Sequence, residues 1–251
     1  MKNVLHYLYL AVILTLPSLY AVAQDSTPRA EVLAAKMLEA QSPAEMTAYG
    51  DTLKSLGFDF VHEEQEDYTR NYALALKEER RYDEAVSLLL AYIDETPNSP
   101  CMAAILADVY AATGSKRKAH KYYEYAMSLD PLFINPYCRN AEIYAAEHQY
   151  DKALKLYLFA MDNYGFDYDY DYMLLVANKI MKMTEECPEL PKTLSSIVQA
   201  FCNKKLGNRQ EYLRLRRKMS QEMRAELDAL CAKGYGTYMF ILNRQLEKAK
   251  E

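Results

Sequence analysis

The segments beginning at Glu66, Pro100 and Ile134 superimpose on one another at a constant interval of 34 residues, with no gap. Self-similarity at a fixed period of about 20–50 residues restricts a chain to architectures made of one repeated supersecondary unit. The eighth position is alanine in all three segments (Ala73, Ala107, Ala141), and so is the twentieth (Ala85, Ala119, Ala153). The eleventh holds Leu76, Tyr110 and Tyr144; the twenty-fourth Leu89, Tyr123 and Tyr157; the twenty-seventh Tyr92, Ala126 and Ala160. Apolar residues between these recur at three- and four-residue steps, as in Leu106, Ala107, Tyr110 and then Ala119, Tyr122, Tyr123, Ala126. That spacing predicts two amphipathic helices per segment. Gly114-Ser115 separates the two, Asp130-Pro131 ends the second, and Pro100 and Pro136 suit the first turn of a helix, where a missing N–H is harmless. The alanines mark places where helices approach closely, and the tyrosines and leucines fill the space beside them. One helical hairpin cannot bury its own apolar face, so three in series predict a stack with a continuous core.

Composition agrees with an all-helical chain. Of 251 residues only 7 are glycine, none is tryptophan and 23 are tyrosine. Phosphate-binding loops and many-turned β folds spend glycine freely, so both are disfavoured. The balance of 30 basic against 35 acidic residues, net −5, lacks the overall basic footprint of a nucleic-acid-binding protein.

Residues 4–23 carry no Asp, Glu, Lys or Arg, follow Lys2 and end in Ala21-Val22-Ala23. This is the order of a secretory signal peptide, with cleavage expected after Ala23; an uncleaved anchor is the alternative, since about 20 apolar residues can span a bilayer. The rest is expected to be exported, periplasmic or else extracellular. Cys101, Cys138, Cys187, Cys202 and Cys231 form neither a disulfide framework nor a metal knuckle, because their number is odd and no C-x-x-C pair occurs. They read as buried thiols, with one or two disulfides possible in an oxidising compartment.

The repeat resembles the tetratricopeptide repeat (TPR) superfamily, whose pattern has Tyr at eleven, Ala at twenty, an aromatic at twenty-four, Ala at twenty-seven and Pro at thirty-two. Pro97 and Pro131 fit the last position and Gly165 departs from it; position eight is alanine where the family has glycine, and position four is Thr69, Ala103 and Tyr137. The resemblance implies a right-handed solenoid over 66–99, 100–133 and 134–167. Residues 24–65 form an N-terminal helical cap, with Ser42-Pro43-Ala44-Glu45 as a capping box. Helical periodicity continues through 168–251, read as degenerate repeats and a C-terminal helical cap, or as a separate small helical domain.

The same resemblance implies where a ligand would sit, since the first helix of each pair lines the concave surface of such a solenoid. The corresponding residues are Arg70, Leu74 and Lys77, then Cys101, Ala104 and Asp108, then Asn135, Cys138, Arg139 and Glu142. Position five holds Arg70 and Ala104 and position nine Leu74 and Asp108, so the family's clamp for a terminal carboxylate is not supported. The alternative is that the chain's own C-terminal helices fill this face. Two further patches stand out: alternating aromatics and carboxylates at Tyr168, Tyr170 and Tyr172, and a basic helix with Arg214, Arg217 and Lys218 within 204–218. His62, His120 and His148 follow no metal-binding spacing, and neither a G-x-S-x-G elbow nor a Walker loop occurs. The expected role is therefore non-enzymatic, without cofactor, metal or nucleic acid. An exported scaffold binding a partner protein or peptide in the cell envelope is the first reading, and recognition of an anionic polymer or lipid head group through the 204–218 helix is the second.

Overall fold

The computed structural model describes residues 29–163 and 170–248. The expected leader, 1–23, and Tyr168 lie outside these residues, as does the side chain of Tyr170. Among the described residues the chain is all-helical, with thirteen α-helices, one short 3₁₀ turn and no strand. In order they are α1 (29–39), α2 (Pro43–Ser55), α3 (Glu66–Glu78), α4 (Tyr82–Glu95), α5 (Pro100–Ala112), α6 (Lys116–Leu129) and α7 (Ile134–Ala146). Then follow α8 (Tyr150–Asn163), α9 (Tyr170–Glu186), α10 (Lys192–Lys205), α11 (Arg209–Arg217), α12 (Gln221–Lys233) and α13 (Tyr235–Lys248). No described helix is long and apolar enough to cross a membrane.

Helix bounds follow the sequence register. α3, α5 and α7 start 34 residues apart and each is 13 residues long; α4, α6 and α8 start 34 apart and each is 14 long. The recurring alanines at positions eight and twenty are buried without exception. Leu89, Tyr123 and Tyr157 at position twenty-four are buried as well, so the tyrosines at this position serve to fill volume.

The turn after each first helix has one geometry. Arg80, Gly114 and His148 sit at equivalent positions with φ of 59°, 76° and 58°. The next amide closes a six-residue loop: Arg81 N–H donates to Leu76 O (2.8 Å), Ser115 to Tyr110 O (2.8 Å) and Gln149 to Tyr144 O (2.9 Å). This is a Schellman ending, which satisfies carbonyls left over at the helix C-terminus and needs a left-handed residue. Gly207 (φ 72°) repeats it between α10 and α11, where Asn208 N–H donates to Asn203 O (2.9 Å).

The chain divides into two compact units, residues 1–109 and 110–251, with the division inside α5. In the first, α3 packs on both α2 and α4. Ser42 caps α2 by accepting from Glu45 N–H (3.2 Å), and Gly50 lets the Tyr72 ring lie against the α2 backbone: a Cβ at Gly50 would stand 2.3 Å from the ring. Tyr72 O–H donates to Asp51 (2.5 Å), which also takes both terminal nitrogens of Arg81 (2.8 and 2.9 Å). The Arg81 guanidinium holds the Asp51 carboxyl below its ordinary range.

In the second unit one apolar core runs from Ile134 to Leu242. α6 packs on α7, α7 on α8, α8 on α9 and α9 on α10, while α13 returns to α8 and α10. All five cysteines are free thiols. Burial pushes the Cys138 thiol up to about 11 and the Cys202 thiol up to about 12, so neither is a ready nucleophile.

Candidate functional site

The turn into α7 builds a cleft of the second unit. Asp130 Oδ1 accepts from Leu132 N–H (2.9 Å) and Asp130 O from Phe133 N–H (3.1 Å), which fixes the Asp-Pro turn by local hydrogen bonds. Tyr137 O–H donates to Pro131 O (3.2 Å) while its ring stacks on Phe159 at 4.4 Å between centroids, tying the turn to α8. Leu132 is thereby held outward, 65% exposed. Asn135 and Arg139, one helical turn apart on α7, stand beside it, and Tyr172 reaches in from α9 with its phenol 3.5 Å from Asn135 Oδ1. With Phe133 and Ile134 these residues line a cleft of about 490 Å³. An apolar shelf next to a cation, an amide and a phenol suits an extended peptide that offers an apolar side chain and carbonyl or carboxylate oxygens.

Asn135, Arg139 and Tyr172 were expected on sequence grounds, the last as part of a separate patch, and the structure joins them. Glu142, one turn further along α7, faces a second, smaller cleft of about 320 Å³ between α7, α8 and α9. Its carboxylate is taken by Lys179 of α9 and approached by Arg139 at 3.5 Å. Cys138 is buried beneath, at 3% exposure.

In the first unit, Leu74 is half-buried in a cleft of about 240 Å³ formed with Pro43 and Met46 of α2. Arg70 pairs with Asp67 (2.7 Å) and Lys77 with Glu78 (3.4 Å). On α5, Ala104 is buried, while Cys101 and Asp108 are half-buried; burial raises the Cys101 thiol.

The basic run 204–218 is not one helix but spans the end of α10 and all of α11, and only part of it is paired. Lys205 pairs with Asp162 of α8 (3.1 Å), Arg216 with Asp228 of α12 (2.5 Å) and Arg214 with Glu211. The Arg214 guanidinium holds the Glu211 carboxyl below its usual range. Lys204 lies over the Tyr212 ring at 5.8 Å, and Arg209, Arg217 and Lys218 carry no ion pair among the described residues.

Leu132 and Phe133 were missed by sequence reasoning because they fall in a connecting turn. A signal was present: the equivalent positions one repeat earlier are Asn98 and Ser99, so an apolar pair, exposed Leu132 and half-buried Phe133, replaces a polar one where turns are usually polar. Among the described residues no group of three or more His, Cys, Asp or Glu is arranged to hold a metal ion. No protein-family model matches the chain, and no curated protein compared with it is similar.

Proposed function

We propose that the chain is an exported TPR-like solenoid with helical caps, acting as a non-catalytic scaffold that binds a protein or peptide partner in the cell envelope. The fold part of this reading rests on the identical helix lengths, the 34-residue spacing of helix starts and the repeated left-handed turn. The binding part rests on one observation: the cleft that brings exposed Leu132 together with Asn135, Arg139 and Tyr172. A rigid helical frame presents such a cleft already ordered, so a partner segment loses little affinity to receptor reorganisation. Leu132→Asp and Arg139→Glu are expected to abolish retention of the partner from envelope fractions while leaving the helical circular-dichroism spectrum and melting temperature unchanged. Retention of the same partner by both variants would refute the cleft as its binding site.

A second reading has support in Arg209, Arg217 and Lys218, which leave a cationic strip for an anionic polymer or lipid head group. Binding through that strip weakens steeply with salt, whereas cleft binding depends mainly on Leu132.

A further inference from the structure

His120 of α6 is held in a pocket that its histidine chemistry does not fully explain. Its ring stacks on Tyr144 at 4.0 Å between centroids and 24° between planes. Nδ1 faces Asn140 Oδ1 at 2.5 Å, and Nε2 faces Glu147 Oε2 at 3.2 Å. Both neighbours are oxygens, so both ring nitrogens must carry protons for both contacts to be hydrogen bonds. Asn140 is 1% exposed, and its own Nδ2 is buried with no hydrogen-bond partner among the described residues. An orphaned buried N–H is costly, and here the cost is tied to which way the amide points.

We propose that His120, Asn140 and Glu147 form a proton-operated latch between α6 and α7, in which loss of the Nδ1 proton is coupled to a turn-over of the Asn140 amide. The two nitrogens are not equivalent. Glu147 as a carboxylate can only accept, so Nε2 keeps its proton. Asn140 can present either end of its amide, so Nδ1 is the site that gives up its proton as pH rises. A bare Nδ1 lone pair opposite Asn140 Oδ1 is repulsive; rotation of the amide by half a turn places Nδ2 there as a donor and gives that buried N–H its partner. The Tyr144 stack keeps the ring from answering by rotating itself.

The surrounding charges belong to the latch as well. From α6, Lys116 stands 3.8 Å from Glu147 Oε1, and Glu124 faces the Tyr144 phenol. From α7 come Tyr144 and Glu147. From the start of α8, Lys152 lies over the Tyr144 ring at 5.1 Å, and before it Gln149 Nε2 donates to Glu147 Oε2 (3.0 Å). Lys116 and Gln149 fix Glu147 as an acceptor, which is what makes the deprotonation one-sided.

Long-range ¹H–¹⁵N spectra of the whole chain, recorded from about pH 5 to 8 where imidazoles titrate, test this directly. As pH rises, Nδ1 should move to the unprotonated range and Nε2 should stay protonated by roughly tenfold or more, as expected for a hydrogen bond to a charged group. The Asn140 side-chain amide signals should shift through the same midpoint. In Glu147→Gln the new amide can also turn over, and the tautomer preference should fall to about two- to threefold. In His120→Gln the Asn140 signals should cease to respond to pH. Loss of the Nε2 proton in the wild type would overturn the latch. So would Asn140 signals that stay still while the ring titrates, or that move equally in His120→Gln.

Discussion

Residues 66–163 and residues 192–245 both bury helices, but with different chemistry. In the first stretch the recurring buried positions are alanine, leucine and tyrosine, and the burial repeats at 34 residues. Its buried polar side chains, Thr69, Ser99 and Asn140, fall outside those recurring positions, whereas in the second stretch a chain of polar contacts links α10, α13 and α12. Thr193 O–H donates to Gln245 Oε1 (2.6 Å), Gln245 Nε2 to Glu226 Oε2 (2.9 Å), and Arg244 Nη1 stands 3.2 Å from Glu226 Oε1 as an ion pair without hydrogen-bond alignment. Asn203 is buried too and accepts from Asn208 Nδ2 (3.0 Å). A repeat can use one set of small and large residues many times because each interface has the same shape. A terminal set of helices has no next copy to match, and hydrogen bonds between particular partners fix its arrangement.

Substitutions can break this contrast, the strongest first. Tyr157 fills volume in the repeats, with no hydrogen bond from its phenol needed for the argument. Tyr157→Ala is expected to cost about 3–5 kcal/mol in urea unfolding and Tyr157→Phe less than about 1.5 kcal/mol. Equal losses would mean that the phenol, rather than ring volume, is what the repeat core uses. Next, Glu226→Ala should cost about 2–3 kcal/mol, since it leaves the Gln245 amide without its acceptor and removes one of the two carboxylates paired with Arg244, which keeps Glu222. A neutral result would erase the distinction between the two stretches.

The turn offers a finer probe within the repeats. Gly114 has open space around it and φ of 76°, so Gly114→Ala should lose about 1 kcal/mol through backbone strain alone. Arg80 occupies the same conformation with a side chain, so Arg80→Gly should gain up to about 1 kcal/mol in the same unfolding assay. A further effect is confined to alkaline pH. Burial, with Glu66 nearby, pushes the Tyr92 phenol up from 10.0 to about 12. The folded state therefore favours the protonated phenol. This contribution is whole below the unfolded value of 10.0 and is lost as pH rises through about 12. Tyr92→Phe should flatten the decline of melting temperature in that window.

Much of this was readable beforehand, for physical reasons that also mark where reading stopped. The helix pairs at 66–163 could be placed because steric demand repeats: Ala73, Ala107 and Ala141 are each fully buried at the same place in their copy. Arg80 and His148 concealed their left-handed turns, which only Gly114 announced. Over 204–218 the sequence showed a run of cations with Glu211 alone opposing, because Asp162 reaches Lys205 of α10, and Asp228 reaches Arg216 of α11, only through the fold. The candidate cleft was half legible. Asn135 and Arg139 followed from the resemblance of the repeat, whereas Leu132 joins them because the Asp130 turn holds it outward, and Tyr172 because its phenol reaches Asn135 from α9.

The most direct test of the scaffold reading is site-specific photocrosslinking in the native host, with the reactive group at position 132 and, as a control, at Phe240, an exposed residue on α13. The account predicts a discrete crosslinked partner from position 132 that disappears when Arg139→Glu is added, and none from position 240. A partner captured equally from both positions, or one from position 132 that is indifferent to Arg139→Glu, would contradict it.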